Sequence, residues 1–109
     1  GALLDAPATL SLVGLDAKGV PSYAFYGQGA ADRSLLPHHL AAVPAECQVF
    51  HFGSYAMVVE PTGSTQRALV ERESGRSLIA YDPNVRLNVE PRLEPWREFL
   101  AWMQPRTDC

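Results

Sequence analysis

The chain has 109 residues, enough for one domain with a modest core, and carries a formal net charge of −3 with a pI near 5.5. Eight Arg and a single Lys are scattered rather than clustered, so no electrostatic footprint for nucleic acid or an anionic membrane surface is present. No apolar run approaches the length of a membrane span, and the opening Gly-Ala-Leu-Leu-Asp lacks the regions of a signal peptide.

Residues 9–15 alternate loosely and read as a strand, and Val20 to Tyr26 reads as its return strand. Asp16-Ala17-Lys18-Gly19 supplies the turn, and Pro21 suits an edge, so the two form a β-hairpin. Tyr23, Phe25 and Tyr26 read first as ordinary sheet packing. Gly27-Gln28-Gly29-Ala30-Ala31 is small enough to let backbone approach a ligand, but it lacks the helix start and Lys or Ser/Thr of a phosphate cradle. Asp32-Arg33 reads as a local ion pair or cap that fixes the exit from this loop, ahead of Arg33 pointing at a substrate.

Leu36 to Leu40 reads as a short helical turn opened by Pro37. His38 and His39 face different directions on such a turn and have no carboxylate or Cys at ligand spacing, so both are expected in solvent and neither on a metal. Gln48 to Phe52 is the next strand, closed by Gly53-Ser54, with Val49 and His51 on one face and Phe50 and Phe52 on the other. His51 reads as a hydrogen-bonded core residue, with a crevice position as the alternative. Tyr55 to Val59 continues apolar before a helix start at Glu60-Pro61. Thr65 to Glu73 is helical, with Thr65, Ala68 and Leu69 on one face and Gly75 as the stop.

Leu78, Ile79, Ala80 and Tyr81 form a short apolar run, read as a strand buried on both faces as in parallel sheets. Strand, helix, strand is the order of a βαβ unit, so residues 48–52 and 77–81 run the same way and present their carboxyl ends on one edge. That edge carries Gly53 from one strand and Asp82-Pro83-Asn84-Val85-Arg86 from the other, and ligands of open α/β sheets bind beyond such edges. A plain structural turn held by an Asp82–Arg86 pair accounts for the same residue types. Leu87 to Arg92 is a loop. Pro95 opens a last helix whose stripe of Trp96, Phe99, Leu100 and Met103 faces the core, while Trp102 lies off it as a second contact. Cys47 and Cys109 form neither a disulfide framework nor a metal spacing, which makes a reducing cytoplasm the default.

Asp-Pro-Asn-Val-Arg after an apolar strand resembles the D-x-N-x-R segment of the ribokinase-like (PfkB-type) carbohydrate kinases, in their fructokinase and 2-keto-3-deoxygluconate kinase branch. Phe25 to Arg33 and His51-Phe52-Gly53-Ser54 agree in kind and order, carrying the resemblance from about Ala8 to Met103. It implies an α/β chain that is a fragment of a ribokinase-like fold, with the β-hairpin of the lid and following loop at 8–33 and βαβα of the central sheet at 34–109. It implies an ATP-dependent sugar kinase as the parent, with ATP, Mg2+ and a small sugar as ligands. Phe25, Gly27, Gly53 and Arg86 would then contact substrate, and Asp82 and Asn84 would organise the phosphate and Mg2+ environment through water. Kinases of the keto-deoxy acid carry Arg at the position matching Gly27, so Gly27 favours a neutral sugar such as fructose.

The sequence holds no Gly-Ala-Gly-Asp segment, in which the family carries its catalytic base, and none of the N-terminal di-glycine or downstream Asn/Glu segments. Leu87 stands where the family usually has Pro, which leaves the course of that loop in doubt. The chain thus reads as an internal piece of a longer one, inactive alone. The competing expectation is a non-catalytic α/β module that pairs or forms homodimers through its lightly charged hairpin.

Overall fold

A computed structural model describes residues 5–109; the reading of the opening residues 1–4 lies outside the described part. The first two strands, β1 (Leu10–Leu15) and β2 (Pro21–Tyr26), pair antiparallel from Leu10↔Tyr26 to Leu15↔Pro21. Their turn is built as its residues require. The Asp16 carboxylate accepts the backbone N–H groups of Lys18 and Val20 at 2.8 and 2.9 Å, and Gly19 takes φ +77°. The hairpin is exposed on both faces, with Leu15 at 70 %. It projects: the radius of gyration is 15.2 Å, against about 13 Å for a compact domain of this length.

The core lies in the second half. Strands β3 (Val49–Gly53) and β4 (Leu78–Asp82) pair parallel, from Val49↔Leu78 to Gly53↔Asp82. Helix α1 (Thr62–Glu73) makes the crossover, and α2 (Leu93–Met103) follows β4. Phe52, Met57, Leu69, Val70, Ile79, Phe99 and Met103 close the core between sheet and helices. On the far edge of β4, Cys109 donates to Ile79 O at 3.4 Å while its carbonyl accepts from Tyr81 N at 2.9 Å, the spacing of a further parallel rung.

Several expectations change. Helix α1 begins at Thr62, directly after the start expected at Glu60-Pro61 and one turn before the expected helical stretch from Thr65; the Glu60 carboxylate accepts the Ser64 N–H at 3.1 Å and the Pro61 carbonyl accepts that of Thr65 at 3.2 Å. Its buried face is Thr62, Thr65, Leu69, Val70 and Glu73; Ala68 is exposed. Strand β4 is buried on one face only. Ile79 is fully buried but Leu78 is 44 % exposed, since among the described residues no layer covers the side that Leu78 shares with Val49. Residues Ser54–Met57 form a 3₁₀ turn. Helix α2 starts at Leu93, and Pro95 fits inside its first turn, where no N–H is needed. Leu100 leaves the expected stripe at 45 % exposure, while Trp96, Phe99 and Met103 are buried. Trp102 packs on Phe99 at 5.6 Å and lies between the guanidinium groups of Arg67 and Arg106. His39 is not wholly solvated: its Nδ1 accepts the Leu36 N–H at 2.9 Å, and its ring lies 4.0 Å from that of His38.

Buried hydroxyls and one buried carboxylate hold the connections to α1. Thr62 Oγ1 donates to Asp32 O and accepts from Leu35 N, both at 3.1 Å, and Thr65 Oγ1 donates to Leu35 O at 3.0 Å. Glu73, with no solvent exposure, accepts from Arg76 at 2.6 Å and Arg72 at 2.7 Å. The Arg76 hydrogen bond, then that of Arg72, holds its carboxyl below the usual carboxylate range against the opposing effect of burial. A depressed folded pKa adds stability above the unfolded value of about 4.3, and that stability is lost as pH falls through the folded pKa. Urea titrations from pH 7 to pH 3 should therefore show Glu73→Gln with the lower midpoint at neutral pH, and the gap to the unaltered chain closing on acidification. In the same assay Phe99→Ala should cost about 3–5 kcal/mol and Leu100→Ala less than about 1 kcal/mol.

Candidate functional site

The carboxyl edge of β3 and β4 opens into a cleft of about 260 Å³ lined by His51, Gly53, Ser54, Gln66, Asp82 and Asn84 among others. The parallel register sets Gly53 directly beside Asp82. A Cβ on Gly53 would lie 2.2 Å from the Asp82 carbonyl oxygen, so glycine is what lets the two strand ends approach. Beyond them the backbone is unusual on both sides of the cleft. Ser54 has φ +58° and Asn84 φ +36°, conformations that L side chains seldom adopt. Each is held locally: Asp82 Oδ1 accepts the Asn84 N–H at 3.0 Å, and Ser54 Oγ donates to the Asn84 carbonyl at 3.4 Å. Such outliers cluster at ligand sites, where the surrounding structure maintains them.

His51 is exposed and lines this cleft, so of the two readings offered by the sequence the crevice position is the one observed. Arg86 is not among the lining residues. Its Nη1 donates to the carbonyls of Val85 at 3.2 Å and Asn84 at 3.4 Å, folding the side chain back over its own loop. Among the described residues no Asp82–Arg86 ion pair forms.

Phe25 and Gly27 line a second cavity, of about 460 Å³, with Tyr26, Gln28, Arg33, Asn88 and Val89. Apart from Arg86, which lines neither, the expected site residues are thus divided between two hollows, Phe25 and Gly27 in one and Gly53, Asp82 and Asn84 in the other. Ties between the regions run through Tyr55 and Asn88. Asn88 Nδ2 donates to the Tyr23 carbonyl at 3.0 Å, tying β2 to the loop after β4. Tyr55 tilts against Phe25 at 5.9 Å and donates its hydroxyl to Asp32 at 3.0 Å. Burial first, then the Asp32 hydrogen bond and charge, push the Tyr55 hydroxyl above its ordinary value, so it stays a donor.

Asp32 and Arg33 do not form the expected pair. The Asp32 carboxylate accepts from the hydroxyls of Thr9 and Tyr55, while the Arg33 guanidinium lies 5.4 Å from the centre of the Tyr55 ring. Gln66, Tyr55 and Asn88 carried no signal in the sequence, because only the packing of α1 and the post-β4 loop brings them here. Glu90 beside the loop has its carboxyl held down to about 2 by the Arg92 hydrogen bonds, and its carbonyl accepts the Trp96 indole N–H at 3.0 Å. This anchors the loop to α2.

An antiparallel hairpin set against a parallel βαβ unit with an open carboxyl edge makes this an α/β chain. Solved structures agree with that fold. The fructokinase of Vibrio cholerae O395 in apo form superimposes with a TM-score of 0.74 at 21% identity, over 95% of this chain and 36% of that one. The fructokinase of Xylella fastidiosa gives 0.73 at 24% identity, over 95% and 34%. In sequence the chain is 35% identical over 85 residues to a fructokinase of Rhizobium leguminosarum bv. trifolii, covering 78% of this chain and 26% of that protein. It is 37% identical over 92 residues to a probable fructokinase of Arabidopsis thaliana, covering 82% and 28%. No family model matches the chain.

In sequence this chain is similar to fructokinases, and its fold matches that of solved fructokinases, which are PfkB-type carbohydrate kinases. It spans about a quarter of the length of the curated relatives it matches.

Gly53 gives a direct test of how tightly the cleft is built. Gly53→Ala must push the new Cβ off the Asp82 carbonyl and should destabilise the chain by about 1–3 kcal/mol, read from chemical denaturation.

Proposed function

We propose that this chain is part of an ATP-dependent sugar kinase, fructokinase-like, which transfers a phosphoryl group from ATP to a sugar hydroxyl. The observation that carries the reading is the cleft at the shared carboxyl edge of β3 and β4, where Gly53, Asp82 and Asn84 meet. Phosphoryl transfer asks a protein chiefly for alignment and charge stabilisation, and such a crevice supports the first. Phe25 and Gly27 would cover the sugar from the hairpin side, and Arg86 would swing from its own carbonyls to grip a sugar or phosphate oxygen with its planar fork.

Mg2+ with ATP supplies the phosphoryl group and neutralises its charge. Among the described residues there is no cluster of three or more His, Cys, Asp or Glu side chains able to hold a metal. Asp82, with one oxygen on the Asn84 N–H, fits as a single carboxylate that meets Mg2+ through water, together with Asn84. No helix of the described part is long and apolar enough to cross a membrane, and a cytoplasmic setting belongs to this same proposal.

A second reading has its own support. The hairpin exposes apolar side chains on both faces, among them Leu10, Leu12, Val13 and Tyr26, and this is the surface through which two copies would pair. Light scattering on the chain should then show a doubled mass, abolished by charges at Leu12 and Val13.

The kinase reading is tested by coupled ADP release. The full-length protein should turn over fructose with Mg2+ and ATP, and this chain alone should stay at background. In the full-length protein Arg86→Ala should lower kcat/KM for sugar by about 10- to 100-fold, the loss of one charge-assisted contact. Unchanged kinetics would remove Arg86 from the site.

A further inference from the structure

We propose that Arg33 is a substrate-binding residue, whose guanidinium hydrogen-bonds a hydroxyl of the acceptor sugar in the cavity beside Phe25 and Gly27. This rests on the sugar-kinase reading above and goes beyond it by naming a residue that contacts the sugar.

Four observations converge. Arg33 lines the 460 Å³ cavity that the hairpin shares with Asn88. Among the described residues it has no carboxylate partner, because its neighbour Asp32 is engaged by the hydroxyls of Thr9 and Tyr55. Its Nε is buried and makes no hydrogen bond, a state that polar groups seldom keep unless something else completes them. The group is also held in place, stacked 5.4 Å from the Tyr55 ring centre.

Gly27 explains how it gets there. A Cβ at that position would stand 2.9 Å from Arg33 Nε, 3.0 Å from Nη2 and 2.6 Å from Thr9 Oγ1. The guanidinium therefore occupies the space a side chain on residue 27 would need. A cation is present beside Gly27 after all, delivered from six residues further along the chain. The Asp32 carboxylate accepts from the hydroxyl of the same tyrosine whose ring the guanidinium covers. Sugar hydroxyl oxygens are acceptors able to complete the donors that Arg33 leaves free.

The test is steady-state kinetics and calorimetry with fructose on the full-length protein. Arg33→Ala should raise the sugar KM by about 10- to 100-fold while the ATP KM stays within about twofold. Arg33→Lys, with charge but no fork, should recover only part of the loss. Gly27→Ala should raise the sugar KM in the normal background and add little once Arg33 is Ala, since both changes displace the same group. Should Arg33→Ala fail to fold, Arg33→Gln keeps the stem and a donor and is read the same way.

An unchanged sugar KM in Arg33→Ala, or an equal rise for ATP, would overturn the assignment. The two readings fail separately. Fructose binding without turnover would sink the kinase reading, and Arg33 would then be judged by whether Arg33→Ala loses that binding. No fructose binding overturns both.

Discussion

The parallel contact between the ends of β3 and β4 is the constraint on which the rest depends. Parallel strands cannot be joined by a tight turn, so a crossover must climb back over the sheet before β4 begins. Here α1 does this and buries Leu69 and Val70 against Ile79 and Phe52 in doing so. Once the register is set at Gly53↔Asp82, both loops leave the sheet on the same side, and a cleft between them is a geometric consequence. Gly53 is the residue that permits it, because a Cβ there would strike the neighbouring strand's backbone.

Polar groups in the core locate the helix that the apolar contacts merely bury. Thr62 and Thr65 reach the backbone of Asp32 and Leu35, and Arg72 donates to the Leu40 carbonyl at 3.0 Å. Apolar burial is non-directional, whereas these hydrogen bonds are satisfied in one placement only. The hairpin lacks such a core. Its attachments are the Asn88 bond to Tyr23, the Thr9 bond to Asp32 and the contact of Phe25 with Tyr55. A segment with few buried contacts and exposed apolar faces on both sides is of the kind that moves or finds a partner.

The site shows how a residue-by-residue reading falls short. Gly27 by itself places no cation at its position, yet in space the Arg33 guanidinium lies beside it, although adjacency suggests a pair with Asp32 instead. Neighbours in sequence often point apart, and Asp32 turns to Tyr55 and Thr9 while Arg33 turns to Gly27. Arg86 makes the same point in reverse, since its segment is recognisable but its side chain rests on its own carbonyls.

From the sequence alone came the hairpin and its turn, the βαβ order, the parallel sense of the two strands and the Gly53–Asp82 edge. These follow from local rules: alternation, a turn needing positive φ at Gly19, and the chirality of crossover connections. Tertiary structure alone decided which faces are covered, leaving Leu78 and Leu100 exposed where periodicity placed them inside. It also decided that Arg33, Asn88, Tyr55 and Gln66 line or brace the hollows. The physical reason is that burial and side-chain partnership depend on what packs against an element, and that information is distributed over contacts between residues tens of positions apart.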